Sequence, residues 1–216
     1  MSRFLRLPLV TVISFILAAV LAACGTVPSA TVTPSVAPVV IPTTVQQTGT
    51  KTVSLLDALN GVLTVTAPNG LATRPDSLAG AILVATSDAA LSSNPATFLA
   101  ADQWALDVSA VPIKIAQALV PAGQTVAPQT MIDALKTEMA QSAPQVTFSP
   151  STAITIGGHD AARVTGTSPQ GEVLLIVVAL DSGYIMTTSV ISVGQLATYE
   201  PTITTIITSA MYTPAA

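Results

Sequence analysis

Few residues of this chain carry side chains that could perform chemistry, and those few are isolated from one another. Cys24 is the one cysteine and His159 the one histidine among the 216 residues. A single histidine excludes a cage of several histidines, and Zn²⁺ takes about three or four protein ligands. Asp160 could join His159 on a metal ion, but both residues follow Gly157-Gly158, a pair that predicts a turn. We therefore predict no metal site and no bound cofactor.

The sequence lacks the motifs of two large enzyme classes. It has no Gly-x-Ser-x-Gly elbow for a serine nucleophile and no glycine-rich loop of the nucleotide-binding kinds. The 11 acidic residues could still include a pair of carboxylates that cleaves glycosidic bonds. Most of them fall in predicted turns or on helix surfaces, as Asp76, Asp88, Asp160 and Asp181 do, which favours plain solvation. We predict no catalytic residue.

Two aromatic residues could serve either the core or a binding groove. Aromatic residues make up 4% of the chain, and Trp104 is the one tryptophan. Trp104 and Phe98 are expected in the core, because aromatic side chains bury large areas. The alternative places them along a groove.

The amino terminus has the layout of an export signal. Basic Arg3 and Arg6 precede an apolar run from Leu7 to about Val20, which ends in Leu-Ala-Ala before Cys24. This ending resembles the lipobox of bacterial lipoproteins, in which a cysteine after small residues receives a diacylglyceryl group before cleavage. The resemblance implies a signal peptide over residues 1–23 and lipidation of Cys24. The alternative is an uncleaved membrane-spanning helix, for which about 17 apolar residues are just enough.

A lipid anchor would place the mature protein on the outer face of the cell membrane, or on the outer membrane of a double-membrane host. Acyl chains on Cys24 would hold it firmly, since each buried CH₂ contributes about 0.8 kcal/mol. Residues 24–50 form a Pro/Thr/Val-rich linker with prolines at positions 28, 34, 38 and 42, which prevent regular helices and central strands. We predict that this linker is disordered and extended, and that residues 51–216 form one domain.

Charge narrows the range of partners. Charged residues make up 8% of the chain, and without Arg3 and Arg6 the remaining 5 basic residues face 11 acidic ones, a formal charge of −6. An excess of acidic residues repels nucleic-acid phosphates and anionic lipid headgroups. The sequence therefore predicts no nucleic-acid binding and no electrostatic attachment to a membrane.

The hydrophobic pattern of the domain predicts a mixture of strands and helices. Strands are expected at Val62 to Ala67, Ala81 to Thr86 and Trp104 to Val111. A helix is expected from Gln129 to Gln141, where Met131, Ile132, Leu135 and Met139 lie along one face.

The second half of the domain predicts an antiparallel meander of about four strands followed by a closing helix. The strands are Ala153 to Ile156, Ala161 to Thr167, Glu172 to Leu180 and Tyr184 to Val193, with turns at residues 157–160, 168–171 and 181–183. The helical stripe runs from Leu196 to Ala210, and Pro201 fits it in the first turn or at a kink. This order predicts an α+β fold with helices packed on a largely antiparallel sheet.

The order of elements over residues 60 to 212 resembles the PsbP-like fold. The resemblance depends on the strand and turn from Val62 to Gly70, a middle helix, Ile156-Gly157-Gly158 entering a hairpin near Ala162-Arg163, and a last helix ending near Ser209. It implies an α/β/α sandwich and a non-enzymatic role in binding or assembly.

The sequence therefore supports one leading function and two alternatives. The leading hypothesis is a lipid-anchored, non-catalytic domain that binds a protein partner or a small apolar ligand. The first alternative is a hydrolase of envelope polymers with paired carboxylates, and the second is a spacer without a ligand. Two buried carboxylates with raised pKa values in one cleft would favour the hydrolase, whereas an exposed apolar patch without them would favour binding.

Overall fold

The computed structural model describes residues 49–57, 59–91 and 99–215. The predicted signal peptide, Cys24, Phe98 and nearly all of the predicted linker lie outside these ranges. The strands are β1 (Thr50–Leu56), β2 (Val62–Pro68), β3 (Ala72–Asp76), β4 (Ala81–Ala85), β5 (Trp104–Pro112), β6 (Thr147–Phe148), β7 (Thr152–Ile156), β8 (His159–Ser168), β9 (Gly171–Leu180), β10 (Gly183–Ile191) and β11 (Met211–Thr213). The helices are α1 (Ile113–Leu119), α2 (Pro128–Ser142) and α3 (Leu196–Thr208).

These elements form three layers around a large antiparallel sheet. Its strand order is β3-β4-β5-β10-β9-β8-β6, with β7 also paired to β8, and a smaller sheet has the order β1-β2-β11. Every described strand pair is antiparallel. The α+β class predicted from the sequence, with helices packed on antiparallel strands, is confirmed.

Each face of the large sheet carries its own hydrophobic cluster. On one face, Trp104 and Ile176 pack against the small sheet and α3. On the opposite face, Leu175 and Val177 pack against α1 and α2. Because alternate residues of a strand point to opposite faces, β9 is apolar along almost its whole length.

The predicted strands and the first predicted helix are confirmed to within two residues at each end, and further elements join them. The meander is formed by β7, β8, β9 and β10 in the predicted order. The first half of the domain holds five strands where three were predicted, because β1 and β3 were missed. Strand β3 contains Pro75 and lies at the edge of the large sheet, the position where a sheet tolerates proline.

The turn between β7 and β8 is shorter than predicted. The expected turn covered residues 157–160, but His159 pairs with Ile156 and Asp160 with Thr155 as the first residues of β8. Gly157 and Gly158 have φ values of 60° and 85°. Positive φ at both central residues is what a two-residue type I′ hairpin requires, so two residues suffice.

Helix α3 runs through its proline. Pro201 was expected in the first turn or at a kink; it lies in the second turn, and the helix continues to Thr208. Proline removes one backbone hydrogen bond, but Ile203, Ile206 and Ile207 are buried against the sheet and hold the helix in place. Sheet side chains add polar contacts: Arg163 forms a two-point ion pair with Glu200 at 2.6 and 2.8 Å.

Candidate functional site

The residues that the sequence singled out for chemistry do not come together. His159 and Asp160 are exposed at the start of β8. Within residues 49–57, 59–91 and 99–215, no group of three or more His, Cys, Asp or Glu side chains could hold a metal ion. The prediction that Trp104 belongs to the core is confirmed, since its side chain is 1% exposed.

Three features remain as candidate sites, and the first is a cluster of exposed aliphatic side chains at one end of the small sheet. We call Leu56, Leu59, Val62 and Met211 the hairpin-end patch; their exposed fractions are 60%, 50%, 38% and 63%. Leu56 pairs directly with Val62, and Met211 pairs with Thr64 two residues further along the same face. The sheet register therefore brings side chains from three strands and one turn into a single apolar surface.

Asp57 organises the turn that presents this patch. Its Oδ1 accepts hydrogen bonds from the backbone N–H groups of Leu59 (2.8 Å) and Gly61 (2.7 Å). Its Oδ2 accepts a hydrogen bond from the Tyr212 hydroxyl at 2.8 Å. Burial, with the Asp57 hydrogen bond and charge, raises the pKa of Tyr212 to about 12. One carboxylate thus connects the β1–β2 turn to β11, and a Cβ at Gly61 would overlap the Tyr212 ring and hydroxyl.

The rest of the outer face of the small sheet is uncharged. Hydroxyl pairs link β1 to β2, Thr52 with Thr66 and Ser54 with Thr64, each at 3.1 Å. Lys51 is on the inner side, where its Nζ donates to the Leu71 carbonyl oxygen. The hairpin-end patch is therefore the end of a neutral surface on an acidic molecule.

The second feature is a groove on the opposite side of the domain, between α1 and the segment that leads to α2. We call it the α1–α2 groove; it holds about 500 Å³, within the ~300–1,000 Å³ typical of small-molecule sites. Its lining consists of uncharged side chains only: Ile113, Gln117, Pro121, Ala122, Gly123, Gln124, Thr125, Val126 and Tyr184.

Hydrogen bonds hold the wall of the α1–α2 groove in place. The Tyr184 hydroxyl donates to the Val126 carbonyl oxygen at 3.2 Å, and the Gln124 N–H donates to the Pro121 carbonyl oxygen at 3.1 Å. The Thr130 hydroxyl lies 2.8 Å from the Thr125 carbonyl oxygen and accepts the Ala127 N–H at 3.0 Å. The groove is consequently formed before any ligand enters it.

The third feature is a carboxyl group in the middle of the large sheet. Asp107 is a half-buried residue of β5, on the face that carries α1 and α2, with Leu83 of β4 and Thr188 of β10 as its direct neighbours. Burial, and secondly the negative charge of Asp76, raises the pKa of Asp107 to about 7. This carboxyl group therefore titrates near neutral pH, well above the usual range of an aspartate.

Asp76, the neighbour of Asp107, already has a structural role. Its Oδ1 accepts hydrogen bonds from the backbone N–H groups of Leu78 and Ala79, both at 3.1 Å, in the β3–β4 turn. The hydrolase hypothesis requires two buried carboxyl groups with raised pKa values in one cleft. Asp107 has a raised pKa, whereas Asp76 caps a turn, so only part of this condition is met.

Sequence reasoning named Asp76 but missed Asp107 and the other residues of these three features. Asp107 is one polar position in the alternating pattern Trp104 to Val111, which by itself predicts a solvent-facing side chain. Leu56 and Val62 lie in apolar stretches that predict burial equally well. The signal that could have found the groove, Gln117 and Gln124 on either side of Pro121, is too common to be specific.

Comparisons with known proteins show limited similarity. No protein-family model and no curated protein matches the chain. Among solved structures, the domain is similar to the cyanobacterial PsbP protein CyanoP from Synechocystis sp. PCC 6803, with a TM-score of 0.42 and 12% identity over 69% of this chain and 85% of that one. It is also similar to LpqN, which is involved in cell envelope biogenesis of Mycobacterium tuberculosis, with a TM-score of 0.42 and 13% identity over 76% of this chain and 92% of that one.

A third similar structure is PA94 from Pseudomonas aeruginosa, a protein of unknown function and putative regulator by its description. Its TM-score is 0.35, with 17% identity over 55% of this chain and 79% of that one. Values this low establish neither common ancestry nor common function. Within the described part of the chain, no helix is long and apolar enough to cross a bilayer.

Proposed function

We propose that this chain is an exported lipoprotein, held by lipid on Cys24 to the outer face of a membrane, whose domain binds a protein partner and does not catalyse a reaction. The observation that supports this function best is the hairpin-end patch. In folded domains, a group of neighbouring exposed aliphatic side chains commonly marks an interaction site. In this domain they occur together, at the end of a surface without charge.

The structure of the patch fits a protein partner better than a small apolar ligand. The patch lies at the exposed end of a sheet face, whereas small ligands are bound in concave sites that cover most of their surface. Flat surfaces with an apolar centre and a polar rim are typical of protein interfaces. Here the hydroxyl pairs of β1 and β2 would form part of that rim.

The lipid anchor is tested by intact mass and membrane partition in the native host. We expect the wild-type protein to begin at an acylated Cys24 and to stay with the membrane, and the Cys24→Ala variant to leave it. A mass that retains Met1, with both proteins bound to the membrane, would show that the first segment is a membrane-spanning helix.

The binding surface is tested by photo-cross-linking from position 59 of the full chain in its native host. We expect one discrete adduct with an identifiable protein. The Leu56→Asp and Met211→Asp variants should each reduce it by about tenfold, since charge in an apolar interface costs more than 1 kcal/mol. Leu78→Asp is the matched control, because Leu78 is 98% exposed in the separate β3–β4 turn. Equal loss in all three variants would contradict the assignment of the patch.

A second candidate function is hydrolysis of envelope polymers, which the raised pKa of Asp107 favours, since a general acid needs a pKa near the working pH. The test compares the release of soluble fragments from purified cell walls by the wild type, by Asp107→Asn and by Asp88→Asn. Release that only Asp107→Asn abolishes would establish the hydrolase. Absence of release from all three would leave the binding function.

A further inference from the structure

We propose that the α1–α2 groove binds an uncharged saccharide unit. This inference goes beyond the proposed function, because it concerns a different face of the domain and requires neither the lipid anchor nor the hairpin-end patch. It follows from the side chains that line the groove, from their unpaired polar groups and from the rigidity of the wall.

The polar groups of the groove are neutral and free to bind. Gln117 and Gln124 are exposed, and neither side-chain amide has a hydrogen-bond partner among the described residues. Each amide offers two donors and one acceptor oxygen, the combination that pairs with sugar hydroxyls, which both donate and accept. The Thr125 hydroxyl lines the same space.

The apolar groups of the groove suit the C–H surface of a sugar ring. Tyr184 contributes an aromatic ring whose hydroxyl is already occupied by the Val126 carbonyl oxygen. Ile113 is 47% exposed, and Pro121 lies on the other side of the groove. A pyranose presents hydroxyls at its edge and C–H groups on its faces, so amides around an apolar surface match it.

Other classes of ligand fit less well. The groove has no ammonium, guanidinium or carboxylate side chain in its lining, so a phosphate, a uronate or an amine would lose hydration without gaining a counter-charge. A peptide that binds by strand addition is held by backbone hydrogen bonds to a free sheet edge. The α1–α2 groove is formed by a helix, a turn and the side chain of Tyr184 from the central strand β10, and it contains no such edge.

The wall of the groove does not need to fold around its ligand. Three hydrogen bonds fix the segment between α1 and α2, and Gly123 takes a φ of 85° in its turn. A site that is already ordered loses less conformational entropy on binding. This favours measurable affinity for a small neutral ligand, for which charge attraction contributes nothing.

The test is saturation-transfer difference NMR on the full chain in detergent, with maltotetraose and chitotetraose as uncharged probes and tetragalacturonate as the charged probe. We expect at least one uncharged probe to bind with a dissociation constant on the order of 1 mM or tighter. The double variant Gln117→Ala/Gln124→Ala should weaken this binding about tenfold. Gln170→Ala, the same change in the exposed β8–β9 turn, should leave it unchanged.

Three outcomes would overturn the proposal. The first is no binding of either uncharged probe, and the second is equal binding by the wild type and the double variant. The third is equal or tighter binding of tetragalacturonate. The cross-linking at position 59 is unaffected by any of them, so the proposed function stands or falls separately.

Discussion

Among the residues that the structure describes, Asp107 has the pKa furthest from the usual value of its side-chain type. A carboxyl group in an unfolded chain titrates near pH 4, whereas burial and the charge of Asp76 raise the pKa of Asp107 to about 7. The folded protein therefore holds a proton that the unfolded chain releases. Between about pH 4 and pH 7 the stability contributed by this group falls as the pH rises, and above pH 7 no more is lost.

Asp107→Asn should remove this pH dependence. We expect the variant to be more stable than the wild type at pH 8 by about 1–3 kcal/mol, because one pKa unit corresponds to about 1.4 kcal/mol. Near pH 4 the difference should vanish. The measurement is urea unfolding of both proteins from pH 4 to pH 8, with Asp88→Asn, an exposed turn residue, as the control. Parallel profiles for the wild type and Asp107→Asn would contradict the pKa assignment.

Tyr212 is the second residue whose behaviour can be tested directly. Tyr212→Phe removes the hydrogen bond to the Asp57 carboxylate, and we expect a loss of about 1–2 kcal/mol at neutral pH. Tyr199→Phe is the comparison, since its hydroxyl donates to a neutral carbonyl oxygen, that of Asp102, in an exposed place and should cost less. Urea unfolding measures both losses.

The same hydrogen bond makes a spectroscopic prediction. With a folded pKa of about 12, above the ordinary value of 10.0, Tyr212 stabilises the fold below about pH 10 and this contribution is lost as the pH rises toward 12. In a titration followed by tyrosinate absorbance, Tyr212 should be the last tyrosine of the wild type to ionise. The Tyr212→Phe variant should lack this last step. An unchanged titration curve would place the raised pKa elsewhere.

At the scale of elements, the two-residue turn between β7 and β8 determines how the meander begins. Gly157 and Gly158 have positive φ values, so ordinary residues are strained there. The Gly-Gly pair also places His159 and Asp160 in a strand, which explains why they are presented to solvent one after the other on opposite faces of β8.

Substitutions at the two glycines of this turn should differ in their cost to stability, because the two positions differ in which residues accept their backbone angles. Gly157→Asn should cost less than about 1 kcal/mol, because asparagine accepts positive φ at the first position of a type I′ turn. Its Cβ would lie 3.3 Å from the Thr208 Cγ2 atom, so the flexible Thr208 side chain must shift slightly. Gly158→Ala should cost about 1–2 kcal/mol from backbone strain alone, because an added Cβ at this position meets no atom within 4 Å. Thermal or urea unfolding of the two variants provides the measurement. Equal losses would indicate that side-chain crowding, and not φ, decides the effect.

At the scale of the whole molecule, the two hydrophobic clusters share strands. Strands β5, β8, β9 and β10 contribute alternate side chains to the cluster under the small sheet and α3 and to the cluster under α1 and α2. If one cluster loses its packing, the strands that it shares with the other cluster lose their support on one face. The two clusters should therefore unfold together. The hairpin-end patch and the α1–α2 groove are consequently held at fixed positions on opposite sides of one folded unit.

We therefore expect a single cooperative unfolding transition. Trp104 reports on the first cluster alone, since it is the one tryptophan of the chain and is buried there. Its fluorescence and the far-ultraviolet circular dichroism of the whole domain should give the same midpoint in urea. A tryptophan transition that precedes the loss of secondary structure would show that the clusters unfold separately.

The local pattern of the sequence was enough to predict the main elements. Alternation in Val62 to Ala67 and Trp104 to Val111, the continuous apolar run of β9, and the stripe of α2 depend on the period of side chains along one element. The α+β class and the order of the meander follow from those elements. The Cys24 anchor and the PsbP-like resemblance stay predictions from the sequence.

Tertiary structure alone decided which residues form the candidate sites. Leu56 and Met211 lie far apart in the sequence, and strand pairing through β2 makes them neighbours on an exposed face. The raised pKa of Asp107 depends on burial and on a charge from another strand. Side-chain periodicity shows which residues share a face of one strand or helix, but whether that face is covered depends on packing between elements distant in the chain.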